Sequence, residues 1–308
     1  GAAKDLGIDA HTVRRSTKTL QSRLKKAGSR ARAIQGVVKV HPGARSLART
    51  GFKPAAVWGH AAQGLAPSVL RRLRSQVAGM TGCKYEGGCA TTAIRLTYDE
   101  EADPFMYGRM ELFREWLYLL EALRPHERAL ERAWARTVRH LRAGPRPWLR
   151  VKGTIGAVVA SLLEIGWNPQ GPANWIDSDG EAFNLRAVDP DLLLEWALKG
   201  AVSEHIWSQA CRWYHGKGLE HGTDWTVLHR HLRGLQRTGD HGRAAILRMV
   251  TTGALWTASR RFGSEGSSRP GQDRAPEAIE GPLNSQGPFS GASPSAETAG
   301  QPAPLAHL

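Results

Sequence analysis

Three groups of side chains in this sequence have the types and spacing to do chemistry. Tyr98-Asp99-Glu100-Glu101 with Asp103 is the densest acid cluster, and paired carboxylates are what hold Mg²⁺ in two-metal phosphoryl transfer. The cluster lacks a strand-turn-strand setting and stands just ahead of a helical pattern, where acids favour the positive end of the helix dipole. It therefore reads as a helix start. Asp177, Asp179 and Glu181 alternate like cation ligands, yet no glycine holds the sixth position of a calcium loop, and an Asp-Gly hairpin turn explains them more simply.

The second group is His205, Cys211, His215 and His221, part of a run in which six of the twelve histidines lie between 205 and 241. Their spacing fits no compact zinc pattern and no Cys-x-x-Cys accompanies them. Helical histidines beside Trp207, Trp213 and Trp225 read as packing residues. Cys83 and Cys89, in a glycine-rich stretch, are an equally weak pair. Gly-x-Ser-x-Gly, a phosphate-binding loop and a dinucleotide fingerprint are all absent from the sequence. The expectation is a chain with no catalytic residue, no metal site, no cofactor and no small-molecule ligand.

The third group is basic, and it is the informative one. Residues 1–98 hold 18 of the 42 Lys and Arg but only three acids, Asp5, Asp9 and Glu86, while the remainder is close to neutral. So one-sided a segment repels itself unless it meets a polyanion, and nucleic-acid phosphate is the commonest polyanion in a cell. Arg14, Arg15, Lys18, Arg23, Lys25, Lys26, Arg30 and Arg32 lie along one stretch and Arg71, Arg72 and Arg74 along another; these eleven are the expected phosphate contacts. A merely solvated helix mixes charge signs to gain i,i+4 pairs, and the scarcity of acids here argues against that reading.

The elements that must position these side chains follow from periodicity. Val13, Thr17, Leu20, Leu24, Ala27, Ala31 and Ile34 fall at alternating steps of three and four, which is helical spacing. A second helical stretch follows Pro54. A third begins at Pro67 with Leu70, Leu73, Val77 and Met80 on one side and the three arginines on the other. Ten of the eleven tryptophans lie after residue 100, among stripes such as Met106, Met110, Phe113, Leu117 and Leu120, then Leu130, Trp134, Val138 and Leu141. An apolar helix is expected from Thr154 to Ile165, and further helices over Pro190 to Trp213, Asp224 to Leu235 and Asp240 to Thr252. The one convincing strand signal is Trp175 to Phe183 about its Asp-Gly turn. No apolar run reaches the roughly 18 to 20 residues of a membrane span. Residues 263–308 hold seven Gly, seven Ser and seven Pro with one aromatic, Phe289, too little apolar surface to offset the entropy of ordering. The expected fold is mainly α: a basic helical module over 1–98, a Trp-rich helical domain with one short hairpin over 103–262, and a disordered tail over 263–308.

The order of motifs resembles a known family. Lys4-Asp5-Leu6-Gly7-Ile8-Asp9, the basic helix Arg23 to Ala33, Thr50-Gly51-Phe52-Lys53-Pro54-Ala55-Ala56-Val57-Trp58-Gly59 and Leu65 to Arg74 are similar to the stretch just after the catalytic palm in non-LTR retroelement reverse transcriptases. The resemblance implies a strand closing the palm and then a helical thumb, with Trp58-Gly59 ending its second helix. Such a thumb grips a template-primer duplex, or an RNA-DNA hybrid, by its backbone. Arg146-Pro147-Trp148, Gly153 to Ala157, Ile165-Gly166-Trp167, Trp175-Ile176-Asp177 and Thr252 to Thr257 resemble the region downstream of the polymerase in such reading frames. The family's paired aspartates are absent, and the chain opens at Gly1 with no apolar signal core, so it reads as a fragment whose upstream part is missing. The leading expectation is sequence-independent binding of DNA or RNA backbone, without polymerase activity. The alternatives are the C-terminal part of an active RNA-directed DNA polymerase and a retroelement relic with no activity. Three cysteines and a retroelement origin fit an intracellular, nuclear setting.

Overall fold

Leu24, Ala27, Ala31, Ile34 and Val38 bury one stripe of a helix that runs Lys18–Val40 (α1) in the computed structural model, which describes residues 3–5, 8–10, 18–83, 88–212 and 218–253. Val38 carries the stripe one turn past Ile34, so the helix outruns the span expected for it. A short antiparallel pair precedes it, Ala3–Asp5 (β1) and Ile8–Ala10 (β2), with Asp5 opposite Ile8. This pair falls within the segment expected to close a palm.

After α1 the chain passes through a tight turn, Pro42–Ser46, and a wide one, Ala48–Phe52, into Lys53–Val57 (α2). That helix ends at Trp58-Gly59, where Gly59 takes φ 65, a left-handed conformation that suits glycine. Pro67–Gly79 (α3) starts with proline in its first turn and buries Leu70, Leu73 and Val77. Then come Ala90–Thr97 (α4), Pro104–Ala122 (α5), Glu127–Arg142 (α6) and Gly153–Glu164 (α7).

The expected hairpin is present as Asn174–Ile176 and Ala182–Asn184, with Trp175 opposite Phe183; a third strand, Asn168–Pro169, joins it on the other edge. In chain order these are β3 (Asn168–Pro169), β4 and β5. Two residues including a proline carry no strand pattern; what places β3 is tertiary. Trp134 Nε1 donates to the Pro169 carbonyl at 3.1 Å and Trp116 Nε1 to that of Pro172 at 3.0 Å. Both indoles are buried, and their N–H groups would otherwise go unsatisfied. The sheet thus closes over a cluster in which Trp116 meets Trp134 and Trp175 meets both Phe113 and Trp167.

The chain ends in helices: Pro190–Leu192 (α8) continues through a wide turn, Leu193–Leu198, into Lys199–Cys211 (α9), followed by Trp225–Arg237 (α10) and His241–Thr251 (α11). Asp189, Asp224 and Asp240 cap α8, α10 and α11 by accepting from the N–H of Asp191, Thr226 and Arg243. The fold is mainly α with one small three-stranded antiparallel sheet.

The change of composition near residues 98–103 does not coincide with a gap in the packing. α3 lies against both α4 and α5, and Leu70, Leu73, Ile94, Phe105, Met106 and Leu112 share one apolar core that reaches from Leu24 to Ile206. The tail expected over 263–308, and the last part of the Trp-rich domain beyond Gly253, lie outside the described residues. Among the described residues, no helix is long and apolar enough to cross a membrane.

Candidate nucleic-acid interface

The cations of α1 sort by face. Seven residues are close to two helical turns, so Lys25, Arg32 and Lys39 line up on one face, Arg23 and Arg30 on another, and Lys26 on a third. The Lys25 face looks onto α3. Between the two helices lies a groove of about 1330 Å³ whose walls carry Lys25, Arg32 and Lys39 on one side and Arg72 on the other. Its floor is made of small residues, Gly28, Ala31, Gly36 and Gly79, and among the described residues no acid lines it. Successive cations along α1 are about 10 Å apart, roughly a Debye length at physiological salt, so their mutual repulsion is largely screened.

Glycines set the close approach of the helices. A Cβ at Gly28 would come within 3.3 Å of Gln76 Nε2, and one at Gly79 within 2.5 Å of Gln35 Nε2. Each glutamine thus reaches over a glycine of the facing helix, and Gln35 Nε2 donates to the Gln76 carbonyl at 3.3 Å. Gly82, at φ 69, lets the chain leave the end of α3 with Val38 Cγ1 only 3.0 Å from where a Cβ would stand.

Of the eleven expected contacts, Lys25, Arg32 and Arg72 line the groove. Lys26 and Arg71 are exposed but outside it. Arg23 and Arg30 turn instead toward α2 and the turn before it: Arg23 donates to the Trp58 carbonyl and Arg30 to the Gly51 carbonyl at 2.8 Å. They tie α1 to its neighbour. Arg74 departs from the expectation, because its guanidinium is nearly buried, with Nε 2.9 Å from Asp103 Oδ2 and NH2 2.7 Å from Thr91 Oγ1. It is an internal ion pair, since Asp103, at the start of α5, arrives to meet it. Arg14 and Arg15 lie outside the described residues, as does the Lys18 side chain. Lys39, absent from the expected set, completes the groove; the signal was the seven-residue step Lys25, Arg32, Lys39, hidden by ending the stripe at Ile34.

The acid cluster is occupied structurally. Asp99 accepts from the Ala102 N–H and pairs with Arg49 at 2.8 Å, Glu100 pairs with Arg95, and Asp103 caps α5 through the Phe105 N–H at 2.8 Å besides holding Arg74. Burial pushes the Arg95 guanidinium down to about 10, opposed by Asp103. Three cations of the basic segment are thus neutralised from just downstream, whereas those of the groove have no acid partner among the described residues. Asp177 Oδ1 accepts from the N–H of Asp179 and of Glu181, which closes the hairpin turn around Gly180.

A second polar centre lies away from the groove. Arg109 is fully buried, bonded through NH2 to Glu164 Oε2 at 2.6 Å and through NH1 to the Leu65 carbonyl at 3.0 Å, with the rings of Trp148 and Phe105 4.4 and 4.9 Å from its guanidinium carbon. His205 stacks on Phe105 at 5.3 Å and stands 4.0 Å from Glu164 Oε1. Burial lowers the pKa of His205, with Glu164 pulling it back up. Among the described residues no group of His, Cys, Asp and Glu is placed to hold a metal ion, and His215 lies outside them. Cys83, Cys89 and Cys211 are free thiols.

Comparison with protein-family models, with curated proteins and with solved structures gives no match.

Proposed function

We propose that this chain binds nucleic acid by its sugar-phosphate backbone, in the groove between α1 and α3 and without regard to base sequence. The observation that carries the reading is Lys25, Arg32, Lys39 and Arg72 converging from two helices on a groove whose described lining holds no acid. Phosphate contact needs charge at the right spacing and little else. Base-edge readout would need a helix or ribbon that projects into a duplex groove, whereas this surface is concave. One of the amides in its wall, that of Gln35, is already engaged between the helices with the Gln76 main-chain carbonyl. If the resemblance of residues 1–98 to a reverse-transcriptase thumb reflects descent, the same groove faces a template-primer backbone, and any polymerase activity belongs to a palm outside this sequence.

The test is the quadruple variant Lys25→Gln, Arg32→Gln, Lys39→Gln and Arg72→Gln in the full chain, with duplex binding measured across a salt series. Loss of four phosphate contacts should lower the slope of log K against log salt by about 3 to 4, equally for duplexes of different sequence. An unchanged slope would refute the groove as the binding site.

A further inference from the structure

A strongly basic surface away from the groove is the outer face of α6, and we propose that it is a separate site for nucleic-acid phosphate. Arg128, Arg132, Arg136 and Arg139 are all exposed and fall on one quadrant of the helix, opposite the buried Leu130, Trp134 and Leu141. For Arg132, Arg136 and Arg139, every neighbour three or four positions away is Arg, Ala or His. None of the four has an acceptor among the described residues. Four cations elsewhere on the surface take acid partners at these spacings, Arg114 with Glu111, Arg124 with Glu121, Lys199 with Glu195 and Arg243 with Asp240, while Arg230 and Arg233 of α10 have no acid three or four positions away. On α6 itself, Glu127 is held by Arg186 at 2.9 Å.

Like charges at i,i+4 destabilise a helix, so this face is at odds with its own stability until a polyanion neutralises it. Four residues along a helix advance about 6 Å, a step comparable to that between neighbouring phosphates of a strand. The arginines thus form a row that one backbone can follow for about 16 Å. Alanines separate them on this face, with Glu131 at its edge three positions from Arg128, which leaves no large apolar anchor of the kind protein interfaces rely on. The apolar stripe of α6 is already in the core, so no part of the helix is left to insert into a membrane surface. Charge complementarity therefore favours nucleic acid.

The variant Arg132→Gln, Arg136→Gln, Arg139→Gln in the full chain tests this beside the groove variant, with labelled duplex, labelled single strand, polyglutamate and phosphatidylserine vesicles as probes. The expected result is a fall in salt slope of about 2 to 3 on duplex or single strand, together with an unfolding midpoint that is unchanged or raised. Unchanged nucleic-acid binding overturns the proposal, and so does a loss confined to vesicles or to polyglutamate. Because the two variants touch different helices, loss in the groove variant alone leaves that site standing and removes this one. Loss in the α6 variant alone does the reverse.

Discussion

Gln35 on α1 lies where a side chain at Gly79 on α3 would have to be: a Cβ there would come within 2.5 Å of Gln35 Nε2. The clash is with the far end of a flexible side chain, so Gly79→Ala is tolerable, and alanine gains about 1 kcal/mol of helix propensity. Against this stands the Gln35 bond to the Gln76 carbonyl, whose loss costs about 1 kcal/mol. Chemical denaturation should therefore place the variant within about 1 kcal/mol of the parent. Fluorescence anisotropy should show several-fold weaker nucleic-acid binding, as the displaced amide narrows the groove.

Arg72 and Arg74 are two residues apart and should behave oppositely. Arg72→Gln removes an exposed cation of the groove, so stability should stay within about 0.5 kcal/mol while the salt slope falls by about 1. Arg74→Gln strands Asp103, which is fully buried, and should destabilise by about 3 to 5 kcal/mol. Urea titration read beside a binding isotherm at two salt concentrations separates the outcomes.

The Arg109–Glu164 pair gives a third expectation. Arg109→Met leaves the Glu164 carboxylate without its partner in a site where Glu164 is mostly buried, at a cost of about 3 to 5 kcal/mol. Replacing both, Arg109→Met with Glu164→Met, should recover part of that loss. A double variant less stable than either single one would show that the Leu65 carbonyl and the stacked rings, not the charge pairing, dominate.

Burial holds His60 and His205 below their ordinary pKa. His60 donates from Nδ1 to the Val57 carbonyl at 2.7 Å. His205 faces Glu164, which favours its charged form, and Arg109, Arg212 and Arg74, which oppose it. The unfolded chain, with histidines near 6.5, takes up protons first. The stability these rings contribute is therefore whole above about pH 6.5 and is lost as pH falls through their lower folded values. Unfolding midpoints measured between pH 7.5 and 5 should drop, and the drop should shrink in His60→Asn with His205→Gln.

Helix faces were legible because burial follows a repeat: Leu24, Ala27, Ala31 and Ile34, or Leu70, Leu73 and Val77, declare their inner side by spacing alone. So were Pro67 as a first-turn residue and the Asp-Gly turn between Trp175 and Phe183, since each acts on atoms within a few positions. The basic character of residues 1–98 was likewise present in composition. What composition could not say is which cations stay available to a ligand. Arg23, Arg30 and Arg74 look like their neighbours in the sequence, yet each meets an oxygen from a distant position: the carbonyls of Trp58 and Gly51, and the carboxylate of Asp103. The strand at Asn168–Pro169 had no pattern of its own and exists because the Trp134 indole, on another element, needs an acceptor. Lys39 joined Lys25 and Arg32 only once Val38 extended α1, and the groove they share exists because Gly28 and Gly79 let a second helix approach. Local rules determine which residues form helices and which side of each is buried; pairing between side chains far apart in sequence depends on chain-reversing packing, and that was decided by the tertiary structure alone.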